Sequence, residues 1–174
     1  MRLRLPLAVL AALLLGGCGG SDFEGDVDVL DGYETYSGNG VSFVHPEGWR
    51  ATTESLGHEI TELRFQDPDA GGPEASAISL TVQPGVGERF DTQLEDERSV
   101  LEGAGGAKVS REDVDVPGAT KAVRSTIESE GARSEAVDLL ASDGRHLALA
   151  AGGPDDERDV LDADAVIASL RVAE

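Results

Sequence analysis

The chain is poor in cysteine, in aromatic residues and in positive charge. Its 174 residues include a single cysteine, one tryptophan, two tyrosines and four phenylalanines. One thiol cannot close an intramolecular disulfide, which excludes a disulfide-stabilised scaffold. Lys and Arg number 14 against 34 Asp and Glu, for a formal net charge of −20. This balance offers no basic surface to a nucleic acid and repels anionic lipid headgroups, so we predict no nucleic-acid partner.

Long apolar runs are also scarce. The one prominent run, residues 5–15, is about 11 residues long and follows Arg2 and Arg4. It is too short for a spanning helix, which needs about 20 residues. Its length and its basic flank are typical of a secretory signal peptide.

The single cysteine stands directly after this run. The residues Leu15, Gly16, Gly17 and Cys18 resemble the lipobox of bacterial lipoproteins. The resemblance implies cleavage between Gly17 and Cys18 and attachment of diacylglycerol and a fatty acid such as palmitate to Cys18. Residues 1–17 would then be a lipoprotein signal peptide, and the chain would be anchored by lipid to the outer face of the cytoplasmic membrane. The alternative is an ordinary secretory signal with an incidental cysteine.

Residues 18–40 are predicted to form a flexible acidic tether. This stretch carries six acids and no cation: Asp22, Glu24, Asp26, Asp28, Asp31 and Glu34. A flexible chain of about 20 residues spans roughly 25 Å, which would lift a domain clear of the headgroups. Residues 41–174 are then predicted to form one domain.

Hydrophobic periodicity assigns the elements of that domain. Alternation predicts strands at residues 41–44, 59–65 and 78–82, and another beginning at Trp49. Residues 88–103 have a helical stripe, with a candidate capping box at Thr92 and Glu95.

The rest of the domain is predicted as a meander, a second helix and a final extended piece. Four segments are separated by Pro117-Gly118, Glu130-Gly131 and Asp143-Gly144, which predicts an antiparallel meander. Gly152-Gly153-Pro154 would end it, and Asp155, Asp156 and Glu157 would open a helix with Val160, Ala163 and Ile167 facing inward. The expected fold class is α+β, a single antiparallel sheet with helices covering its faces.

Several of these segments resemble a known family. The opening "GVSFVHPEGW", with Pro46, Gly48 and Trp49, the central helix, the meander and the closing "ASLRV" are similar to the PsbP/Mog-type sandwich. The bacterial branch of that group includes LpqN-type lipoproteins of actinobacteria. The resemblance implies an actinobacterial source and a binding or assembly module rather than an enzyme. It supplies no binding or metal residues that match this chain.

Motifs that could carry chemistry are incomplete. In "HEITE", Glu62 occupies the place of the second histidine of a zinc protease, with His58 first. In "DVDVLDG", Leu30 and Asp31 stand where a calcium loop needs an oxygen ligand and glycine. After Gly85 and Gly87, the third glycine of a dinucleotide loop falls on Phe90. We assign no catalytic residue, metal ligand or cofactor, and we interpret His45 as a strand-end residue. His146 receives no role.

The sequence therefore predicts an extracytoplasmic lipoprotein that acts as a non-enzymatic binding or assembly module for a protein or small ligand. Trp49 is assigned to the core rather than to a binding surface. Two alternatives stay open. One is a small-molecule receptor with a cavity between sheet and helix. The other is a hydrolase that uses an acid pair.

Overall fold

The computed structural model describes residues 30–70, 75–154 and 161–173. The predicted signal peptide, the proposed cleavage site at Gly17 and Cys18, and residues 18–29 of the predicted tether lie outside the described residues. The elements are, in chain order, β1 (Tyr33–Gly38), β2 (Val41–Pro46), β3 (Arg50–Gly57), β4 (Ile60–Gln66), β5 (Ala77–Gln83), α1 (Phe90–Gly105), β6 (Lys108–Asp113), β7 (Ala119–Ser129), β8 (Ala132–Ala141), β9 (His146–Pro154), α2 (Ala163–Ala168) and β10 (Arg171–Val172).

Ten strands form two antiparallel sheets in the described part of the chain. The larger sheet has the order β3-β4-β5-β9-β8-β7-β6, and the smaller has the order β1-β2-β10. The predicted meander is confirmed, since β6, β7, β8 and β9 pair in sequence order. Gly118, Gly131 and Gly144 turn the chain between them at φ of 82°, 75° and 81°, a region that glycine enters without steric cost.

The core lies between the two sheets. All six residues of β2 are buried, and the ring of Phe43 lies 5.4 Å from that of Phe65 on β4. From the larger sheet, β8 contributes the buried residues Val137 and Leu139, and Trp49 is buried in the same cluster. Trp49 is therefore a core residue, as the sequence indicated.

The predicted fold class is wrong. Strands account for 55% and helices for 17% of the structure, so the fold is dominated by its sheets. Helix α1 packs on one face of the large sheet through Phe90 and Leu94. The opposite face is covered mainly by the second sheet, with α2 beside it. The prediction failed because β1 was assigned to the tether. Without β1 as its partner, β2 was placed in the one predicted sheet, and the second sheet was missed.

Three local predictions also need correction. Strand β1 lies within residues 18–40, so that part of the expected tether is paired with β2. Helix α1 begins at Phe90 after a 3-10 turn, which places Thr92 inside the helix rather than at its cap. Gly152 and Gly153 do not end the meander, because β9 continues through Pro154. A Cβ atom on Gly153 would lie 2.2 Å from Ser76 Oγ, so close packing explains the glycine.

The second helix and the final extended piece are present near the end of the chain, but the helix starts later than predicted, since Leu161 and Asp162 are not helical. Ala163 and Ile167 of α2 pack against the core, and Arg171–Val172 pairs with β2 as a short final strand. Asp155, Asp156, Glu157 and Val160 lie outside the described residues. The short helix is capped by Asp162, whose carboxylate accepts a hydrogen bond of 3.0 Å from the Ala165 N–H.

Candidate functional site

The structure separates the histidines that the sequence singled out. His45 is buried at the end of β2, with Nδ1 3.1 Å from the Pro46 carbonyl oxygen, which confirms it as a strand-end residue. His58 has φ of 50° and lies in the turn between β3 and β4, so "HEITE" does not lie on one strand. Within the ranges described above, no group of three or more His, Cys, Asp or Glu side chains is placed to hold a metal ion.

The other two motifs are also accounted for locally. Asp31 and Gly32 form a turn in which Tyr33 N–H donates to the Leu30 carbonyl at 3.0 Å, while the earlier acids of "DVDVLDG" lie outside the described residues. Gly85 and Gly87, both at positive φ, connect β5 to α1 around the buried Val86. These glycines therefore form a turn from strand to helix.

A buried carboxylate that sequence reasoning missed organises one end of the large sheet. Glu135 on β8 is 2% exposed. Arg133 donates to its Oε1 from Nη2 at 2.7 Å and from Nε at 3.2 Å. Its Oε2 accepts from Arg124 Nε at 3.2 Å and from Thr126 Oγ1 at 2.9 Å. Each carboxylate oxygen thus accepts two hydrogen bonds, as a buried carboxylate requires.

The same cluster connects the sheet to α2. Arg124 also pairs through Nη2 with Asp164 of α2. Burial lowers the pKa of Arg124, but hydrogen bonds to Asp164 and Glu135 outweigh it and hold that pKa above its ordinary value. A hydrogen bond to Glu135 likewise raises the pKa of Arg133. Both guanidinium groups therefore stay charged, and the contacts of Arg124 with Glu135 and Asp164 hold the helix against the sheet.

A pocket of about 260 Å³ lies beside this cluster. Its walls come from β8, β9 and α2, and include Ser76, Arg133, Glu135, Gly153, Asp162 and Asp164. A few polar groups converging on a concavity are what a small-molecule site needs, although such sites usually occupy about 300–1,000 Å³. The pocket is the feature of the described residues that fits the receptor alternative.

A second buried polar cluster lies under α1. His146 Nε2 is 2.9 Å from Asp138 Oδ1, and His146 Nδ1 is 3.2 Å from Gln93 Nε2. The Phe90 ring packs edge-on against the imidazole at 5.4 Å. Both ring nitrogens have partners and the ring is buried, so His146 attaches α1 to the sheet instead of facing an open site.

Two buried carboxylates do not form an acid pair. Glu135 lies on the face of β8 shared with Val137, while Asp138 lies on the opposite face beneath α1. Residues separated by an odd number of positions along a strand point to opposite sides of the sheet. Glu135 and Asp138 therefore cannot act on one substrate atom, and the hydrolase alternative gains no support from them.

Strand β3 is the most open element. It forms one edge of the large sheet, and all eight of its residues are exposed. On its outer side the backbone N–H and C=O groups have no neighbouring strand in the described structure. An unpaired edge of this kind is a ready template for another extended segment.

Comparisons with known proteins leave the family open. No family model matches the chain, and no curated protein matches it. Among solved structures, a protein of unknown function from Pseudomonas aeruginosa is similar to it with 15% identity and a TM-score of 0.42, covering 74% of this chain and 87% of the other. None of the described helices has the length and apolar character needed to cross a membrane.

Proposed function

We propose that this chain is a lipoprotein of the bacterial cell envelope, anchored through lipid on Cys18, whose folded domain is a non-enzymatic binding or assembly module. The observation that carries the anchoring is the segment Leu15, Gly16, Gly17 and Cys18 after an apolar run of signal-peptide length. Each buried CH₂ of an acyl chain contributes about 0.8 kcal/mol, and two chains hold a protein stably on a bilayer.

Metabolic labelling tests the anchor. Cells that express the full chain are fed an alkyne analogue of palmitate, and the protein is isolated and probed for the label. We expect label in the wild type and none in Cys18→Ser. Equal label in the two proteins would contradict the proposal. Circular dichroism of Cys18→Ser checks that the domain still folds.

The binding role is supported by the exposed edge of β3. Anchoring confines the domain near the membrane, which raises its effective concentration next to other envelope proteins, so that even a weak contact is populated. Blocking the edge should therefore abolish partner contacts without changing membrane attachment. The two halves of the proposal can be tested separately.

A second function is favoured by the pocket beside Glu135. A receptor for a small cationic ligand would use the carboxylates of Asp162 and Asp164 on the pocket wall, although Asp162 also caps α2 and Asp164 also pairs with Arg124. Calorimetric titration with a polyamine such as spermidine tests this, with Asp164→Asn as the variant and Glu128→Gln as a control on an exposed site. Saturable binding that only Asp164→Asn weakens would support the receptor, and absence of binding would exclude polyamines as its ligands.

A further inference from the structure

We propose that β3 pairs with β3 of a second copy of this chain, antiparallel and about a twofold axis through Thr52. This joins the two large sheets edge to edge. The inference deepens the assembly role proposed above by naming the partner, and it does not depend on the lipid. Three features of the strand carry it: its open edge, its charge pattern, and the residue that faces it on β4.

The edge lacks the usual protection against pairing. Exposed edge strands are commonly blocked by lysine, proline or a bulge. Residues 50–57 contain neither lysine nor proline. The one irregularity of β3 lies between Ser55 and Gly57, next to the turn. The segment from Arg50 to Glu54 is therefore regular, and it is exposed on both faces of the sheet.

The charge pattern selects one register. Successive residues of a strand point their N–H and C=O groups to opposite edges. When a strand pairs with its own copy, the twofold axis must therefore pass through a residue and not between two residues. An axis through Thr52 places Arg50 opposite Glu54 of the second copy, twice in each dimer. An axis through Thr53 would place Arg50 opposite Leu56, and one through Ala51 would place it opposite Thr52. Arg50 and Glu54 are the only charged residues in β3, so this register pairs every charge of the strand.

The neighbouring strand adds a reason for the cation. Glu54 lies directly opposite Glu62 of β4, and like charges in facing positions destabilise a sheet. Arg50 of the second copy would approach Glu54 from its free side and offset this repulsion. Pairing thus brings a positive charge next to the facing carboxylates of Glu54 and Glu62. The chain as a whole has a net charge of −20. In this way the local attraction opposes the general repulsion between two acidic molecules.

The other edge of the large sheet provides a comparison. Strand β6 could also pair with itself about Ser110, which would place Lys108 opposite Glu112. However, Lys108 already pairs with Glu128 of β7 at 3.7 Å, and Val109 is buried. Strand β6 is thus not exposed along its whole length as β3 is, and it serves as the matched control.

Charge reversal tests the register. The full chain is purified in detergent and its mass is followed by sedimentation equilibrium. The contact is small, so we expect a dimer with a dissociation constant on the order of 10–100 μM. Arg50→Glu and Glu54→Arg should each weaken it roughly thirtyfold, because each makes two like-charge pairs. The double variant restores both pairs and should return the dissociation constant to within about threefold of the wild type.

The β6 variants decide which edge is used. Lys108→Glu and Glu112→Arg make the same charge changes on the other edge, and they should leave the dimer intact. Loss of the dimer in these variants, failure of the double variant to restore it, or a wild type that stays monomeric at about 1 mM would each overturn the proposal. A monomer that still carries palmitate would leave the lipid anchor standing, so the two proposals fail separately.

A disulfide provides a second readout. The axis makes the two Thr52 residues direct neighbours, with Cα atoms about 4.5–5.5 Å apart, within the range of a disulfide. Under oxidation, Thr52→Cys in a Cys18→Ser background should form a covalent dimer, and Ser110→Cys should not. Crosslinking of Ser110→Cys alone would overturn the assignment to β3.

Discussion

Replacement of Glu135 by alanine tests the cluster that holds α2 to the sheet. The change removes the acceptor of hydrogen bonds from Arg124, Thr126 and Arg133. Removing one partner of a buried ion pair costs about 3–5 kcal/mol. The side chains of Arg124 and Arg133 are 27% and 43% exposed, so both guanidinium groups can turn to water. We therefore expect a loss of about 2–3 kcal/mol in the free energy of unfolding.

Urea unfolding followed by the fluorescence of Trp49 measures this loss, since Trp49 is the single tryptophan and is buried. The melting temperature should fall by about 6–10 °C. Glu135→Gln keeps an acceptor oxygen and most of the volume, so it should lose only about 1–1.5 kcal/mol.

The control is Glu128→Ala on the adjacent strand β7. Its carboxylate lies 3.7 Å from Lys108 Nζ in a pair that is largely exposed, so we expect a change below about 0.5 kcal/mol. Equal losses for Glu135→Ala and Glu128→Ala would refute the reasoning, because burial would then have no effect on the value of the carboxylate.

Three further predictions follow from single contacts. Gly118→Ala should lower the free energy of unfolding by about 2–4 kcal/mol in thermal unfolding, because a Cβ at φ of 82° would lie 2.1 Å from the Val172 carbonyl oxygen. The control is Gly131→Ala, where the space around the Cβ is open, and it should lose only about 1–2 kcal/mol. Ser169→Ala should lose about 1–2 kcal/mol in urea unfolding, since it leaves a buried backbone N–H of β2 without its 2.8 Å acceptor. Burial raises the pKa of Tyr36 above 10.0 despite a hydrogen bond from Asn39. The neutral phenol therefore stabilises the fold below pH 10, and this contribution is lost as pH rises through the raised pKa. Ultraviolet titration should show a late phenolate step that Tyr36→Phe removes.

Sequence reasoning succeeded where turn chemistry and periodicity agreed. The meander followed from Pro117-Gly118, Glu130-Gly131 and Asp143-Gly144, because each pair supplies the turn chemistry between two short segments. Helix α1 followed from its apolar stripe, and Phe90 and Leu94 are its buried residues. These signals are local, so they survive without knowledge of the tertiary fold.

Features that depend on distant contacts were missed. Strand β1 follows an acid-rich stretch and is only partly buried, so composition assigned it to a tether, whereas its pairing with β2 decides its structure. Glu135 and Asp138 interrupt an apolar strand at odd spacing, a signal that both faces of β8 carry buried charge. The sequence could not show that Arg124 reaches Glu135 and that His146 reaches Asp138, since these partners come from other strands.

The mass of the amino-terminal peptide of the mature chain tests the central proposal most directly. The protein is extracted from membranes with detergent and digested, and the peptide that contains Cys18 is measured by mass spectrometry. The account predicts that the peptide begins at Cys18 and carries a diacylglycerol and a further acyl group. A peptide that begins elsewhere, or one that carries an unmodified thiol at Cys18, would contradict it.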